Sequence, residues 1–177
     1  MNTQTLDTQT LAEYLKGRLP DFNGELEAEK FAGGQSNPTF LLKSGDQRWV
    51  LRRKPPGELL KSAHAVDREY RVLTALRDTD VPVAETYLLC EDDGVIGSMF
   101  YVMEYLEGRV LWDPKLPEVA SNEERAAMYD EMNRVLAALH SVDPEAVGRS
   151  EFGRPGNYFE RQISRWTKQY RASETET

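Results

Sequence analysis

The sequence has little cysteine and histidine and no hydrophobic run long enough to cross a membrane. Cys90 is its single cysteine, so no intramolecular disulfide can form and the chain suits a reducing compartment. With two histidines beside it, a zinc cluster is not expected. The apolar segment 94–103 is too short for a membrane span, and residues 1–7 lack the basic flank and apolar core of a signal peptide. We therefore expect a cytoplasmic protein with no membrane partner.

The chain also lacks an excess of positive charge. Its 22 Lys and Arg residues are outnumbered by 30 Asp and Glu residues, which gives a net charge of −8. Extended attraction to nucleic acid or to anionic lipid is therefore not expected, and an anionic ligand would need a local basic pocket. The 177 residues, 40% of them hydrophobic, are enough for one domain with a substantial core.

Hydrophobic spacing predicts a helix followed by three adjacent antiparallel strands. Residues 1–20 are predicted to form an N-terminal docking helix, capped by Asp7 or Thr8 and ended by Pro20. Its apolar residues recur at helical spacing, at Leu11, Tyr14, Leu15 and Leu19. Strands are predicted at 26–31, 39–43 and 48–53.

A second helix and two further strands follow. The helix is predicted from about residue 62 to residue 77, with an apolar stripe formed by Val66, Tyr70, Leu73 and Leu76. Strands at 85–91 and 99–105 are separated by a turn and bring the number of antiparallel strands to five. The pattern is that of an α+β fold.

Beyond residue 108 the pattern becomes helical. Ser121 and Glu124 have the spacing of a capping box, which opens a helix with one apolar face. That face is formed by Met128, Met132, Val135, Leu136 and Leu139. A last helix carries a stripe that we expect to lie in the core, formed by Phe159, Ile163, Trp166 and Tyr170.

A glycine-rich turn joins the first two predicted strands. Gly33 and Gly34 allow the backbone to approach a ligand closely, so that its N–H groups could point at phosphate oxygens. Ser36 and Asn37 could add side-chain hydrogen bonds. The alternative is a tight hairpin that needs glycine for a positive φ angle, and the turn alone does not distinguish the two.

The third strand lies in a basic segment, with five basic residues and one acid between positions 48 and 61. Because side chains alternate along a strand, Arg52 shares with Val50 the face that should meet the second helix. Arg53 takes the other face, where we expect a solvated sheet edge. Glu69 lies within the apolar stripe of the helix, where an ionised carboxylate needs a positive partner.

We predict an ion pair between Arg52 and Glu69 that holds the guanidinium in reach of a nucleotide phosphate. A purely structural salt bridge, or a Glu69 turned to solvent, are the alternatives. His64 and His140 are expected to be structural, and Cys90 to be a small core residue. No group of residues has the spacing of a catalytic set, so we name no catalytic residue and no metal ligand.

The order of these features resembles the front of a protein-kinase-like fold, and in particular the aminoglycoside phosphotransferase family. The resemblance rests on the glycine-rich hairpin, the basic third strand, the helical Glu69 and the strand end at 101–108. More narrowly, the chain is similar to the phosphotransferase-like domain found ahead of acyl-CoA dehydrogenase domains in some fusion proteins. The segments that carry this likeness are 33–39, 50–57, 62–64 and 170–175, and the resemblance covers about residues 25–177.

The resemblance implies ATP and Mg²⁺ as cofactors and a nucleotide-binding role for ten residues. They are the phosphate-loop residues Gly33, Gly34, Gln35, Ser36 and Asn37, the third-strand Arg52, its helix partner Glu69, and the hinge residues Met103, Glu104 and Leu106. Arg52 stands where the family usually has lysine. Residues 21–106 would form the small lobe with its five-stranded sheet and one helix, and residues 107–177 the exit from the hinge and an incomplete helical large lobe.

One departure from the family pattern concerns the chemistry. The family carries a His-Gly-Asp…Asn loop and a later metal-binding Asp, whereas His140 is followed here by Ser-Val-Asp. The first hypothesis is therefore the N-terminal part of an ATP-dependent phosphotransferase that phosphorylates a small-molecule hydroxyl, such as that of a hydroxyacyl-CoA. Its partner would be a downstream phosphotransferase remainder or an acyl-CoA dehydrogenase domain. The second hypothesis is a non-catalytic nucleotide-binding or protein-interaction module.

Overall fold

The computed structural model, which describes residues 6–32, 37–55, 64–153 and 156–174, contains a five-stranded antiparallel sheet. The strands are β1 (Glu27–Lys30), β2 (Thr39–Ser44), β3 (Gln47–Arg53), β4 (Thr86–Cys90) and β5 (Phe100–Glu104). Their order across the sheet is β1-β2-β3-β5-β4, and every neighbouring pair is antiparallel. The predicted α+β fold and its five-stranded antiparallel sheet are thus confirmed.

The helices are α1 (Thr8–Leu15), α2 (Val66–Leu76), α3 (Asn122–Ser141) and α4 (Tyr158–Ser173). Helix α1 begins at the predicted cap, where the Asp7 carboxylate accepts a 3.0 Å hydrogen bond from the Thr10 N–H. Ser121 caps α3 in the same way, 3.1 Å from the Glu124 N–H. In the part of the chain that is described, no helix is long and apolar enough to span a membrane.

The chain divides into two compact units, Met1–Val142 and Asp143–Thr177. The first contains the whole sheet with α1, α2 and α3, and the second contains α4. The predicted start of the second helix, near residue 62, lies outside the described residues.

Helix α1 contributes to the apolar core on one face of the sheet. Leu11 and Leu15 are fully buried, and Leu19 packs with them just beyond the helix. The sheet contributes alternate residues of its strands, namely Phe40, Leu42, Trp49, Leu51, Cys90, Phe100 and Val102. Cys90 is a core residue, as predicted. Full burial of each large apolar side chain stabilises the fold by roughly 1.5–3 kcal/mol, so α1 is an integral part of this unit.

Helix α2 packs against β4 and β5. The Tyr70 ring meets the Tyr101 ring edge to face, with 6.0 Å between the centroids. Val50 and Arg52 of β3 also point to this face, because they alternate with the core residues Trp49 and Leu51. The α1 face of the sheet is therefore an apolar core, and the α2 face carries the polar residues described below.

Arg53 is buried, so the expectation of a solvated sheet edge was wrong. Alternation along β3 places Arg53 on the apolar core face, and 4% of the residue is exposed. Its NH1 group lies 3.4 Å from the Ile96 carbonyl oxygen, and its guanidinium carbon lies 5.7 Å from the centroid of the Phe40 ring. Burial lowers the pKa of Arg53 below its usual value.

The stripe on α4 is exposed, contrary to the expectation that it lies in the core. The exposed fractions range from 61% to 80% for Phe159, Ile163, Trp166 and Tyr170. Helical spacing predicted the helix and the side that carries the stripe. It did not predict whether another part of the chain covers that side, because cover depends on contacts between residues far apart in sequence.

Candidate functional site

A row of three side chains crosses the sheet on the α2 face. In the strand registers Thr39 of β2 lies opposite Arg52 of β3, and Arg52 lies opposite Tyr101 of β5. Directly opposite residues on neighbouring strands point to the same face. The three side chains therefore lie side by side, where they can meet Glu69 of α2.

The predicted ion pair between Arg52 and Glu69 is formed. Arg52 Nε donates to Glu69 Oε2 at 2.6 Å, and Arg52 NH2 lies 3.4 Å from Oε1. A third Arg52 group, NH1, donates to Thr39 Oγ1 at 3.0 Å. The guanidinium is bonded on one side to both oxygens of Glu69 and through another nitrogen to Thr39, so its plane has a defined orientation.

The pair is neither fully buried nor fully solvated. The side chains of Arg52 and Glu69 are 29% and 35% exposed. A guanidinium has five N–H groups, and the three contacts to Glu69 and Thr39 leave two that no described residue takes up. The open side of Arg52 can therefore donate to an anion while Glu69 keeps the guanidinium in place.

Tyr101 is a member of the site that the sequence analysis missed. Its hydroxyl donates to Glu69 Oε2 at 3.2 Å, and 2% of the residue is exposed. Burial raises the pKa of Tyr101, and the negative charge of Glu69 raises it further, so the hydroxyl keeps its proton and remains a donor. The register of β3 with β5 places Tyr101 opposite Arg52, and residue spacing along the chain does not predict that register.

Asn37 is 4% exposed and points towards α2. Its Nδ2 donates to Glu69 Oε1 at 2.9 Å, and its Oδ1 lies 2.8 Å from Nδ1 of His64. The Glu69 carboxylate therefore accepts bonds from three residues, Arg52, Tyr101 and Asn37. The other four predicted loop residues, Gly33, Gly34, Gln35 and Ser36, lie outside the described residues.

The predicted hinge residues lie at the end of β5 and beyond it. Met103 is opposite Val50 and shares the face of Tyr101, two residues away, or about 7 Å along the strand. The Glu104 N–H donates to the Glu85 carbonyl at 2.8 Å. Leu106 follows the strand and is exposed. An apolar pair, Val50 and Met103, thus lies next to the polar row.

This arrangement combines a half-open guanidinium with an adjacent apolar surface. The guanidinium can pair with a phosphate oxygen, and the apolar surface can pack against a flat ring. Within residues 6–32, 37–55, 64–153 and 156–174, no group of three or more His, Cys, Asp or Glu side chains could hold a metal ion.

Comparison with known proteins gives matches to phosphotransferases and to proteins named for acyl-CoA dehydrogenation. The sequence is 52% identical over 163 residues to the probable acyl-CoA dehydrogenase IBR3 of Arabidopsis thaliana, covering 89% of this chain and 20% of that protein. It is 46% identical over 174 residues to acyl-CoA dehydrogenase family member 10 of Mus musculus, covering 98% of this chain and 16% of that protein. The chain thus spans about a fifth of the length of the curated relatives it matches.

A solved structure is similar over nearly the whole chain. It is the crystal structure of a protein assigned as an aminoglycoside phosphotransferase from Ralstonia eutropha JMP134, with 53% sequence identity and a TM-score of 0.81. The match covers 98% of this chain and 50% of that one. The sequence profile of the phosphotransferase enzyme family matches residues 27–177, which include the sheet, α2 and the Arg52–Glu69 pair. This chain therefore belongs to the phosphotransferase enzyme family.

Proposed function

We propose that this chain forms the nucleotide-binding part of an ATP-dependent phosphotransferase that transfers the γ-phosphate to a small-molecule hydroxyl. The observation that carries the proposal is the Arg52–Glu69 pair, with 2.6 Å between Nε and Oε2 and two guanidinium N–H groups that no described residue accepts. Glu69 orients the guanidinium, and the remaining N–H groups are suited to a phosphate of ATP.

The neighbouring residues fit the other end of a nucleotide. Val50 and Met103 form an apolar surface next to Arg52, where adenine could pack. The Glu104 N–H is already bonded to Glu85, so we place the adenine contacts at the Glu104 carbonyl and the backbone of Leu106. Residues 33–37 would cover the phosphates, with Asn37 contributing through its bond to Glu69.

Bound ATP with Mg²⁺ would supply an activated phosphoryl group whose developing charge the metal neutralises. The described residues of this chain would bind and orient that nucleotide through the Arg52 guanidinium. The acid that orients the hydroxyl and the Mg²⁺ ligands would belong to a His-Gly-Asp…Asn loop and a later Asp, a sequence this chain does not contain. We propose residues 21–106 as the small lobe and residues 107–177 as the start of a helical large lobe.

We propose a metabolic substrate, with a hydroxyacyl-CoA as the candidate class, and a linked acyl-CoA dehydrogenase domain as the partner. The support is the identity of 46–52% to two proteins named for acyl-CoA dehydrogenation. The 53% identical structure carries the name of an aminoglycoside phosphotransferase, so an aminoglycoside is the competing substrate. The test is phosphate transfer from labelled ATP to a panel of hydroxyacyl-CoAs and aminoglycosides, with a protein that includes the catalytic loop. Labelling of aminoglycosides alone would contradict the proposed substrate class.

Nucleotide binding is tested on the 177-residue chain by calorimetric titration with ATP and Mg²⁺. We expect saturable binding that weakens about tenfold or more in Arg52→Ala and in Glu69→Ala, because each loses a charge-assisted hydrogen bond. Lys43→Ala is the matched control: it also removes a sheet cation bonded to a glutamate, Glu29 at 3.2 Å, but in a pair whose side chains are 40% and 72% exposed. Unchanged affinity in both site variants would contradict the assignment, and no binding by the wild-type chain would contradict nucleotide binding itself.

A further inference from the structure

His64 has an unusual backbone conformation directly ahead of α2. Its φ angle is +60°, in the left-handed region, which residues other than glycine and asparagine rarely adopt. The following residue, Ala65, is the N-cap of α2, and the His64 carbonyl accepts a bond from the Val66 N–H at 2.9 Å. A strained conformation persists where neighbouring contacts hold it, and such positions are concentrated at functional sites.

The contact that His64 makes leads directly to the ion pair. His64 Nδ1 lies 2.8 Å from Asn37 Oδ1, and Asn37 Nδ2 lies 2.9 Å from Glu69 Oε1. These two bonds join the start of α2 to Asn37, two residues before β2, although His64 and Asn37 are 27 positions apart in sequence. Glu69 Oε2 thus accepts bonds from Arg52 and Tyr101, while Oε1 accepts the Asn37 bond and a longer contact from Arg52.

The direction of each bond follows from the chemistry of the groups. An ionised carboxylate can only accept, so Asn37 must turn its NH₂ group towards Glu69 and its oxygen towards His64. That oxygen is an acceptor as well, so the proton between Asn37 and His64 must belong to Nδ1. One arrangement of protons therefore satisfies all three residues.

We propose that Asn37 and His64 are positioning residues that orient Glu69 and, through it, the phosphate-facing guanidinium of Arg52. Glu69 is 35% exposed, so its carboxylate has room to turn towards solvent when Asn37 no longer holds Oε1. Arg52 then loses its two contacts with Glu69 and keeps the bond to Thr39. This role rests on the proposed nucleotide site where the affinity for nucleotide is measured, and is independent of it where the exchange of the Arg52 Nε–H is measured.

The first test needs no nucleotide. In ¹⁵N NMR spectra of the 177-residue chain, the neutral His64 ring should be the tautomer protonated at Nδ1, and the Arg52 Nε–H should exchange slowly with solvent. His64→Gly and Asn37→Ala should each speed that exchange about tenfold. His64→Asn should restore the wild-type rate, because its amide can donate from about the position of Nδ1. Glycine and asparagine both tolerate the left-handed conformation, so neither substitution adds backbone strain.

The second test is the affinity for ATP with Mg²⁺ in the same variants. We expect His64→Gly to bind about tenfold more weakly and His64→Asn to bind like the wild type. His140→Ala is the control, because it removes the other histidine, which lies exposed on α3. A wild-type chain that binds no ATP would refute the proposed function while the exchange rates still decide the positioning role. A neutral His64 ring protonated at Nε2 instead of Nδ1, or Arg52 exchange that His64→Gly leaves unchanged, would overturn the inference.

Discussion

At the scale of single residues, the site consists of one carboxylate with an unusual number of donors. Glu69 accepts bonds from Arg52, Tyr101 and Asn37 at distances of 2.6–3.4 Å. An exposed ion pair contributes about 0–1 kcal/mol to stability, and this half-buried pair gains from the neutral donors around it. Among the described residues, one cation and two neutral donors thus orient the Glu69 carboxylate.

Removing the Tyr101 hydroxyl should destabilise the fold slightly and leave the packing intact. Tyr101→Phe keeps the ring that meets Tyr70 at 6.0 Å and loses the 3.2 Å bond to Glu69. We expect the free energy of unfolding to fall by about 1 kcal/mol, the typical net value of one hydrogen bond. Urea denaturation measures the change. Tyr70→Phe is the control, and an equal loss in both variants would mean that the Glu69 bond contributes nothing.

At the scale of secondary structure, α1 acts as part of the sheet domain and not as a separate appendage. Its residues Leu11 and Leu15 are fully buried against the same cluster as Phe40 and Phe100. The helix has eight residues, and isolated helices of that length are unstable in water. Tertiary packing and the Asp7 cap therefore supply its stability.

Truncating the central residue of α1 should cost much of the stability of the domain. We expect Leu11→Ala to lower the free energy of unfolding by about 2–5 kcal/mol, because it leaves a cavity in a closed core. Glu13→Ala, an exposed position on the same helix, is the matched control and should change stability by less than about 0.5 kcal/mol. Thermal or urea unfolding distinguishes them. A small effect of Leu11→Ala would show that α1 is dispensable for the fold.

The cap of α1 should make stability depend on pH. Hydrogen bonds from the Thr10 N–H and from its hydroxyl lower the pKa of Asp7 below its usual value. The ionised Asp7 carboxylate contributes fully to the free energy of unfolding above its pKa in the unfolded chain, about 3.9. The contribution is lost as the pH falls through the lower pKa that Asp7 has in the folded chain. Asp7→Asn keeps a capping oxygen but does not titrate. The stability of the wild type relative to this variant should therefore decrease below about pH 4, and parallel pH profiles would contradict the expectation.

At the scale of the whole molecule, the apolar core cluster lies in the first compact unit, whereas neither α3 nor α4 has a buried residue. Met1–Val142 contains the sheet, the core cluster and the candidate site. In Asp143–Thr177, helix α4 has no buried residue and exposes its apolar stripe. A stripe of exposed large apolar residues along one side of a helix is typical of a surface that packs against further protein.

A chain that ends at Val142 should fold by itself. The sheet and its apolar core lie within that unit, so removal of Asp143–Thr177 should leave the thermal unfolding midpoint within a few degrees of that of the full chain. Its solubility should rise, because the exposed stripe of α4 is gone. Differential scanning calorimetry and light scattering measure the two effects. Loss of the cooperative transition would show that the first unit depends on the second.

The sequence by itself determined the elements and the central ion pair of this protein. Alternation put Val50 and Arg52 on one face of a strand, helical spacing put Glu69 on the inner side of a helix, and Asp7 and Ser121 marked two helix starts. These patterns are local, and local residues set the direction of a side chain. A charge that points inward then needs a partner, which predicted Arg52 with Glu69.

The tertiary structure decided which residues join that pair and which surfaces are covered. Tyr101, Thr39 and His64 reach the site through strand register and through a contact across 27 positions. Arg53 is buried because the apolar core covers its face of β3, and the stripe of α4 remains exposed. Strand register and the burial of a surface both depend on contacts between residues far apart in sequence. Those contacts form because they bury the apolar core as a whole. Residue spacing therefore predicted the helices and strands and the side on which each carries its apolar residues, while long-range packing determined which residues contact that side.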